Sequence, residues 1–173
     1  LYLDQIDNSH SLSGLQTVSV TGEYCFEIDC APELLIRPGL TQRLLMPTTS
    51  TLLGIDSSGK LSTWDGGATH TAASTIATLI GVSDGDRFEV RLVSDGVDRQ
   101  IDCRVPGGSW VGALTTSGGT EMSFNGSSFR VGSSGTPQAF KGRVYGAKLR
   151  DGNTGTSPVV SWFDPDLFVA GNR

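Results

Sequence analysis

Glu27, Asp29 and Glu33 are the residues whose type and spacing come nearest to chemistry. Two carboxylates two positions apart on a strand share a face and stand about 6.5 to 7 Å apart. Retaining glycoside hydrolysis needs a carboxyl pair about 5 to 5.5 Å apart. The third carboxylate, Glu33, arrives four positions after Asp29, and Pro32 interrupts the strand before it. That spacing predicts solvated carboxylates on an outer strand face, and no enzyme. The histidines offer no nucleophile system either: His10 and His70 both lie in polar, turn-like stretches without a Gly-x-Ser-x-Gly neighbour. Gly132-Ser133-Ser134-Gly135 lacks the Lys and the following helix of a phosphate loop, so it reads as a turn.

Binding is better represented than catalysis. A sugar site combines an aromatic platform with polar groups at its edge. Trp64 is followed by Asp65, Gly66, Gly67 and, soon after, His70; Trp110 follows Gly107-Gly108. Trp64, Asp65, His70 and Trp110 are therefore the candidate ligand-binding residues. Filling core or interface space is an equally open reading for Trp64, and for Trp110 the favoured one; Trp162 is expected to pack. Asp56, Asp84, Asp86, Asp95 and Asp98 stand in turn-like positions, and Asp-Gly turns need Asp for backbone reasons alone. No cofactor is expected.

The elements that must position these residues are strands. Tyr24, Phe26, Ile28 and Cys30 alternate with Cys25, Glu27 and Asp29, the clearest half-buried strand of the chain. Arg43 to Met46 is a short strand stopped by Pro47, and Thr51 to Ile55 and Lys60 to Trp64 flank Asp56-Ser57-Ser58-Gly59 as a hairpin. Ala72 to Ile80 reads as a strand on its Thr and Ile content, with a short helix the alternative. Arg87 to Val93 and Asp98 to Val105 pair across Ser94-Asp95-Gly96, and Trp110 to Leu114, Glu121 to Phe124 and Ser128 to Val131 follow. Phe140, Gly142 and Val144 keep a two-residue period that resumes at Ala147 and Leu149, as if one residue were inserted near Tyr145 or Gly146. Leu1 to Ile6 is a further strand, expected to pair with Val159 to Phe163. Eleven or twelve short strands and no long amphipathic helix predict an all-β fold, a two-sheet antiparallel β-sandwich.

Composition narrows the partners. The 173 residues carry a net charge of -5 with a pI near 4.9, which argues against nucleic acid. No apolar run approaches the ~20 residues of a membrane span, and no signal peptide is visible. Cys25, Cys30 and Cys103 have neither zinc spacing nor the even count of a disulfide framework; Cys30 and Cys103 read as core residues. The length suits a single domain over 1–173, and a chain that starts at Leu1 instead of Met reads as part of a longer polypeptide.

The run Phe140-Lys141-Gly142-Arg143-Val144, the short strand ending in Asp151-Gly152, and the continuation Pro158-Val159-Val160 into Trp162-Phe163-Asp164-Pro165 resemble the last strands of laminin-G-like, concanavalin A-like jelly rolls. The continuation is similar to such modules in bacteriophage tail and other virion proteins. Asp84-Gly85 through Phe88, Val90 and Leu92 to Asp95-Gly96 resembles the family's central strand, although Arg87 stands where that pattern usually has Trp. Laminarinase-type hydrolases share the fold with a Glu-x-Asp-x-Glu strand that this chain lacks. Ca²⁺ at the rim aspartates Asp56, Asp84, Asp86, Asp95 and Asp98 is implied by the resemblance alone. The resemblance implies a non-catalytic structural module of a phage tail or appendage, located in the virion and made in the host cytoplasm. Its implied partners are other virion proteins or copies of itself, and host cell-surface glycans. The alternative is a carbohydrate-binding lectin-like module of a secreted or surface protein.

Overall fold

A computed structural model describes residues 2–3, 12–13, 20, 22–45, 52–118, 130–131 and 140–163, with the backbone alone at 2–3, 12–13, 130–131 and 161–163. Its strands are β1 (Tyr2–Leu3), β2 (Leu12–Ser13), β3 (Glu23–Pro32), β4 (Gln42–Leu45), β5 (Leu53–Ile55), β6 (Leu61–Trp64), β7 (Thr69–Thr71), β8 (Phe88–Asp95), β9 (Arg99–Arg104), β10 (Val111–Thr116), β11 (Arg130–Val131), β12 (Gly142–Asp151) and β13 (Val159–Phe163). One short helix, α1 (Ile76–Ile80), lies between β7 and β8. The expected strand at Glu121 to Phe124, the turn at Gly132 to Gly135, His10 and the Trp162 side chain lie outside the described residues.

The fold is a jelly-roll β-sandwich with antiparallel sheets. A seven-stranded sheet runs in the order β1, β12, β3, β8, β9, β10, with β13 also on β12, and a four-stranded sheet runs β4, β5, β6, β7. Between them lies the core: Phe26, Ile28 and Cys30 of β3, Phe88, Val90 and Leu92 of β8, Ile101 and Cys103 of β9, and Val144, Ala147 and Leu149 of β12 meet Leu44, Leu45, Leu53, Ile55 and Leu61. Burying one such side chain contributes about 1.5 to 3 kcal/mol. The face of each strand that meets the core is thereby fixed. All three cysteines are buried, and burial pushes the Cys25 and Cys103 thiols up to about 11. Cys30 and Cys103 sit in the core between the sheets, Cys25 is buried on the side of Glu27 and Arg91, and burial keeps all three as thiols.

The insertion expected near Tyr145 or Gly146 is a β-bulge: the β12–β3 register shifts between Val144 and Gly146, so Tyr145 has no partner of its own. Ahead of it, Gly142 faces Pro32 at φ +150°, pressed against β3. The hairpin around Asp56 to Gly59 forms as expected, with Leu53 opposite Thr63 and Ile55 opposite Leu61.

Two expectations are corrected. The first strand pairs with β12, Tyr2 opposite Arg143, and leaves β13 to pair farther along the same edge, Ala147 opposite Phe163. At ten residues β12 is long enough to hold both terminal strands along one edge. The stretch expected as a strand at Ala72 to Ile80 contains α1. Thr75 caps it, its Oγ1 accepting from the Thr78 amide at 3.1 Å, and Gly81 ends it at φ +71°. Ile76 is buried, with Leu79 and Ile80 packed at the core's margin; this i, i+3, i+4 pattern and its two caps outweigh β-propensity.

A Cβ at Gly142 would collide with the Ala31 carbonyl oxygen and stand 2.7 Å from the Pro32 Cα, both backbone and unable to yield. Gly142→Ala is therefore expected to destabilise the fold by about 3 kcal/mol or more. A lowered urea midpoint with an unchanged slope checks it.

Candidate functional site

Three of the four candidate residues share one hairpin. After β6, the chain turns at Asp65-Gly66-Gly67-Ala68 into β7, with the Asp65 amide donating to the Ala68 carbonyl at 3.0 Å. Asp65 Oδ1 accepts from the Gly67 and Ala68 amides at 2.8 and 2.7 Å, and Oδ2 meets His70 Nε2 at 2.5 Å. One carboxylate thus ties the turn and the imidazole together. The Ala68 and Gly67 amides, and after them His70, hold the Asp65 carboxyl well below the usual carboxylate range.

Trp64 stands on the other face of this ribbon. Leu61 and Thr63 face the core, and Thr63 is opposite His70; Trp64, one position on, is opposite Thr69 and half-buried. The structure therefore gathers Asp65 and His70 and puts the indole at the same tip, on the reverse side.

Trp110 belongs elsewhere. It precedes β10 and lies on the outer face of the large sheet, where Arg91 and Arg104 stand 4.5 and 4.1 Å from its ring centroid. Such contacts contribute ~0.5 to 1 kcal/mol at exposed sites. The same arginines hold Asp102 at 2.6 Å and Glu89 at 2.5 Å. Trp110 is a packed member of a charged lattice.

That lattice also takes up the carboxylates on which acid–base chemistry would rest. Glu27 meets Arg150 at 3.4 Å, Asp29 meets Arg87 at 2.5 Å, and Glu33 meets Lys141 at 3.1 Å. Each has its own base. Arg87, in the position where the family pattern has Trp, also stacks on Tyr145 at 4.3 Å. The sequence contains this arrangement only in outline: Glu27 and Asp29 share a parity on β3, as Glu89 and Arg91 do on β8, but which acid meets which base depends on register.

The rim aspartates serve turns. Asp56 accepts from the Ser58 and Lys60 amides, Asp84 from Leu35, Asp86 from Ser83, Asp95 from Val97 and Asp98, and Asp98 from Gly118. Among the described residues no three His, Cys, Asp or Glu side chains gather as metal ligands would. One cleft of about 280 Å³ opens near Leu35, Ile36, Val82 and Asp84, away from all four candidate residues.

No protein-family model and no curated protein matches the sequence. Solved structures do share its fold. A heptameric SAP-like pentraxin from Limulus polyphemus is similar with a TM-score of 0.56 at 14% identity, over 87% of this chain and 74% of that one. The enzymatically active domain of bacteriophage CBA120 tailspike protein 2 gives 0.55 at 12%, over 92% of this chain and 29% of the other. Domains LG4-5 of the mouse laminin alpha1 chain give 0.54 at 14%, over 88% and 42%. The chain thus spans less than half the length of the tailspike and laminin structures. Among the described residues no helix is long and apolar enough to cross a membrane.

Because its carboxyl pKa is depressed in the folded hairpin, Asp65 adds stability that is full above the ordinary aspartate range and is lost as pH falls. The acid step of Asp65 in the Gly67 and Ala68 amide shifts, followed by NMR, is expected below the ordinary aspartate value of about 4 and not at it. In Asp65→Ala the acid-dependent movement disappears.

Proposed function

We propose that this chain is a non-catalytic recognition module of a phage tail or appendage, serving assembly and attachment to host-surface glycans. The observation that carries the reading is the pairing of Glu27, Asp29 and Glu33 with three different bases. A general acid needs a raised pKa and a nucleophile needs a nearby partner carboxyl; carboxylates each neutralised by its own cation suit neither role.

Glycan contact falls to the β6–β7 hairpin. Its turn is fixed by Asp65 and its imidazole is fixed through Nε2, so the half-buried Trp64 indole stands on a tip whose geometry is set before binding. Preorganisation of this kind lowers the ordering cost of association. A virion setting is supported by the fold held in common with the tailspike domain across most of this chain, and the acidic net charge fits a surface that avoids nucleic acid.

A glycan array of bacterial surface polysaccharides is the test. Selective binding is expected, reduced at least tenfold in Trp64→Ala and unchanged in Glu27→Gln. Turnover of laminarin or related glucans that Glu27→Gln abolishes would replace this reading with a hydrolase.

A further inference from the structure

The outer face of the large sheet holds Arg87, Arg91, Arg104 and Arg150, paired one to one with Asp29, Asp102, Glu89 and Glu27. Two more cations stand on that face, Arg143 and Lys148 of β12, both exposed. Across the sheet Arg143 is opposite Ala31, and Lys148 is opposite Glu27, which Arg150 already engages. Neither meets a carboxylate among the described residues. Between them the bulged Tyr145 is half-buried, with Arg87 over its ring.

In a chain of net charge -5 this local positive surplus needs a negative complement, and the same molecule displays one. Glu23, Asp95, Asp98 and Asp151 are all exposed at one end of the large sheet, where Glu23 is opposite Asp95 and Asp151 is opposite Tyr24. None of them makes an ion pair among the described residues. The β8–β9 turn projects there, stiffened by Asp95 Oδ1 accepting from the Val97 and Asp98 amides at 3.0 and 2.7 Å. At its tip Val97 is 53% exposed, an apolar knob between two carboxylates.

We propose that the Arg143–Tyr145–Lys148 stripe of one copy receives the Asp95–Asp98 hairpin tip of a second copy. Val97 packs beside the Tyr145 ring that Arg87 already overlies, and the Asp95 and Asp98 carboxylates meet the two cations. Five residues of strand span about 16 Å or less with a bulge, a width over which the flexible arginine and lysine arms converge on one turn. Giving and receiving patches differ, so every copy can do both, and the contact builds a ring or an open chain. Repulsion between acidic copies is screened beyond the ~8 Å Debye length at physiological salt, whereas the paired charges lie inside it.

Sedimentation analysis of the whole chain tests this. Concentration-dependent association is expected, weakened at least tenfold by ~1 M salt, by the double variant Arg143→Glu/Lys148→Glu, and by Val97→Lys. Mixing those two variants restores a one-to-one pair, because the double variant keeps its hairpin tip and Val97→Lys keeps its stripe. Circular dichroism verifies that each is folded. A wild type that stays monomeric, or association that neither variant changes, overturns the proposal; so does alginate binding through Arg143 and Lys148 by a monomer. Trp64→Ala leaves association intact, so this contact and the glycan reading fail separately.

Discussion

The antiparallel contact of β3 with β8 and β12 is the constraint on which the rest depends. A strand's side chains alternate with a period of two, so fixing one residue's face fixes all of them. With Phe26, Ile28 and Cys30 in the core, Glu27 and Asp29 have no choice but the outer surface, and the registers Glu27 opposite Arg91 and Lys148, and Asp29 opposite Glu89, follow. Slipping either pairing by one residue would drive those charges into the core and the aromatic rings into water. The Gly142 approach and the Tyr145 bulge are the local devices by which β12 keeps that register along its length.

The alternation also brings polar groups inward at one end. Tyr24, Ser94, Arg99 and Thr116 form a single cross-strand row on the inner side of β3, β8, β9 and β10, all buried. Arg99 is the largest fully buried side chain in the molecule's described part, 1% exposed. Burial raises the Tyr24 phenol pKa while the Arg99 charge opposes that rise. An arginine here is costly to desolvate; Glu23, Asp95 and Asp98 stand one residue farther along the sheet, and Asp151 stands level with Tyr24.

Much of this was legible in the sequence, because period-two alternation carries strand identity directly: β3, β8, β9, the β5–β6 hairpin and the bulge in β12 could all be read from apolar parity. What could not be read was anything set by pairing. The partner of β1, the arginine assigned to each acid, and the capture of Trp110 by Arg91 and Arg104 depend on which strand lies beside which. Helix α1 failed for a different reason: five residues give too little periodicity to outweigh Thr and Ile content, and only its caps at Thr75 and Gly81 mark it. The candidate hairpin was legible as a cluster, yet the sequence did not separate its faces, since Trp64 and His70 come from different strands and their sides depend on register.

Four ion pairs run across the outer face of the large sheet, and they bear on where recognition can sit. Paired surface charges contribute little to stability, about 0 to 1 kcal/mol each, but each carboxylate and arginine in these pairs is already engaged by its partner. Under the proposed reading, recognition falls to the places outside those pairs. In this molecule those are the edge hairpin carrying Trp64, Asp65 and His70, the stripe at Arg143 and Lys148, and the acidic end of β8 and β9. The stripe and the acidic end bound the pairing pattern of the large sheet, so the rule that buries Phe26 and Ile28 also determines which of that sheet's residues stay exposed, whereas the hairpin belongs to the four-stranded sheet.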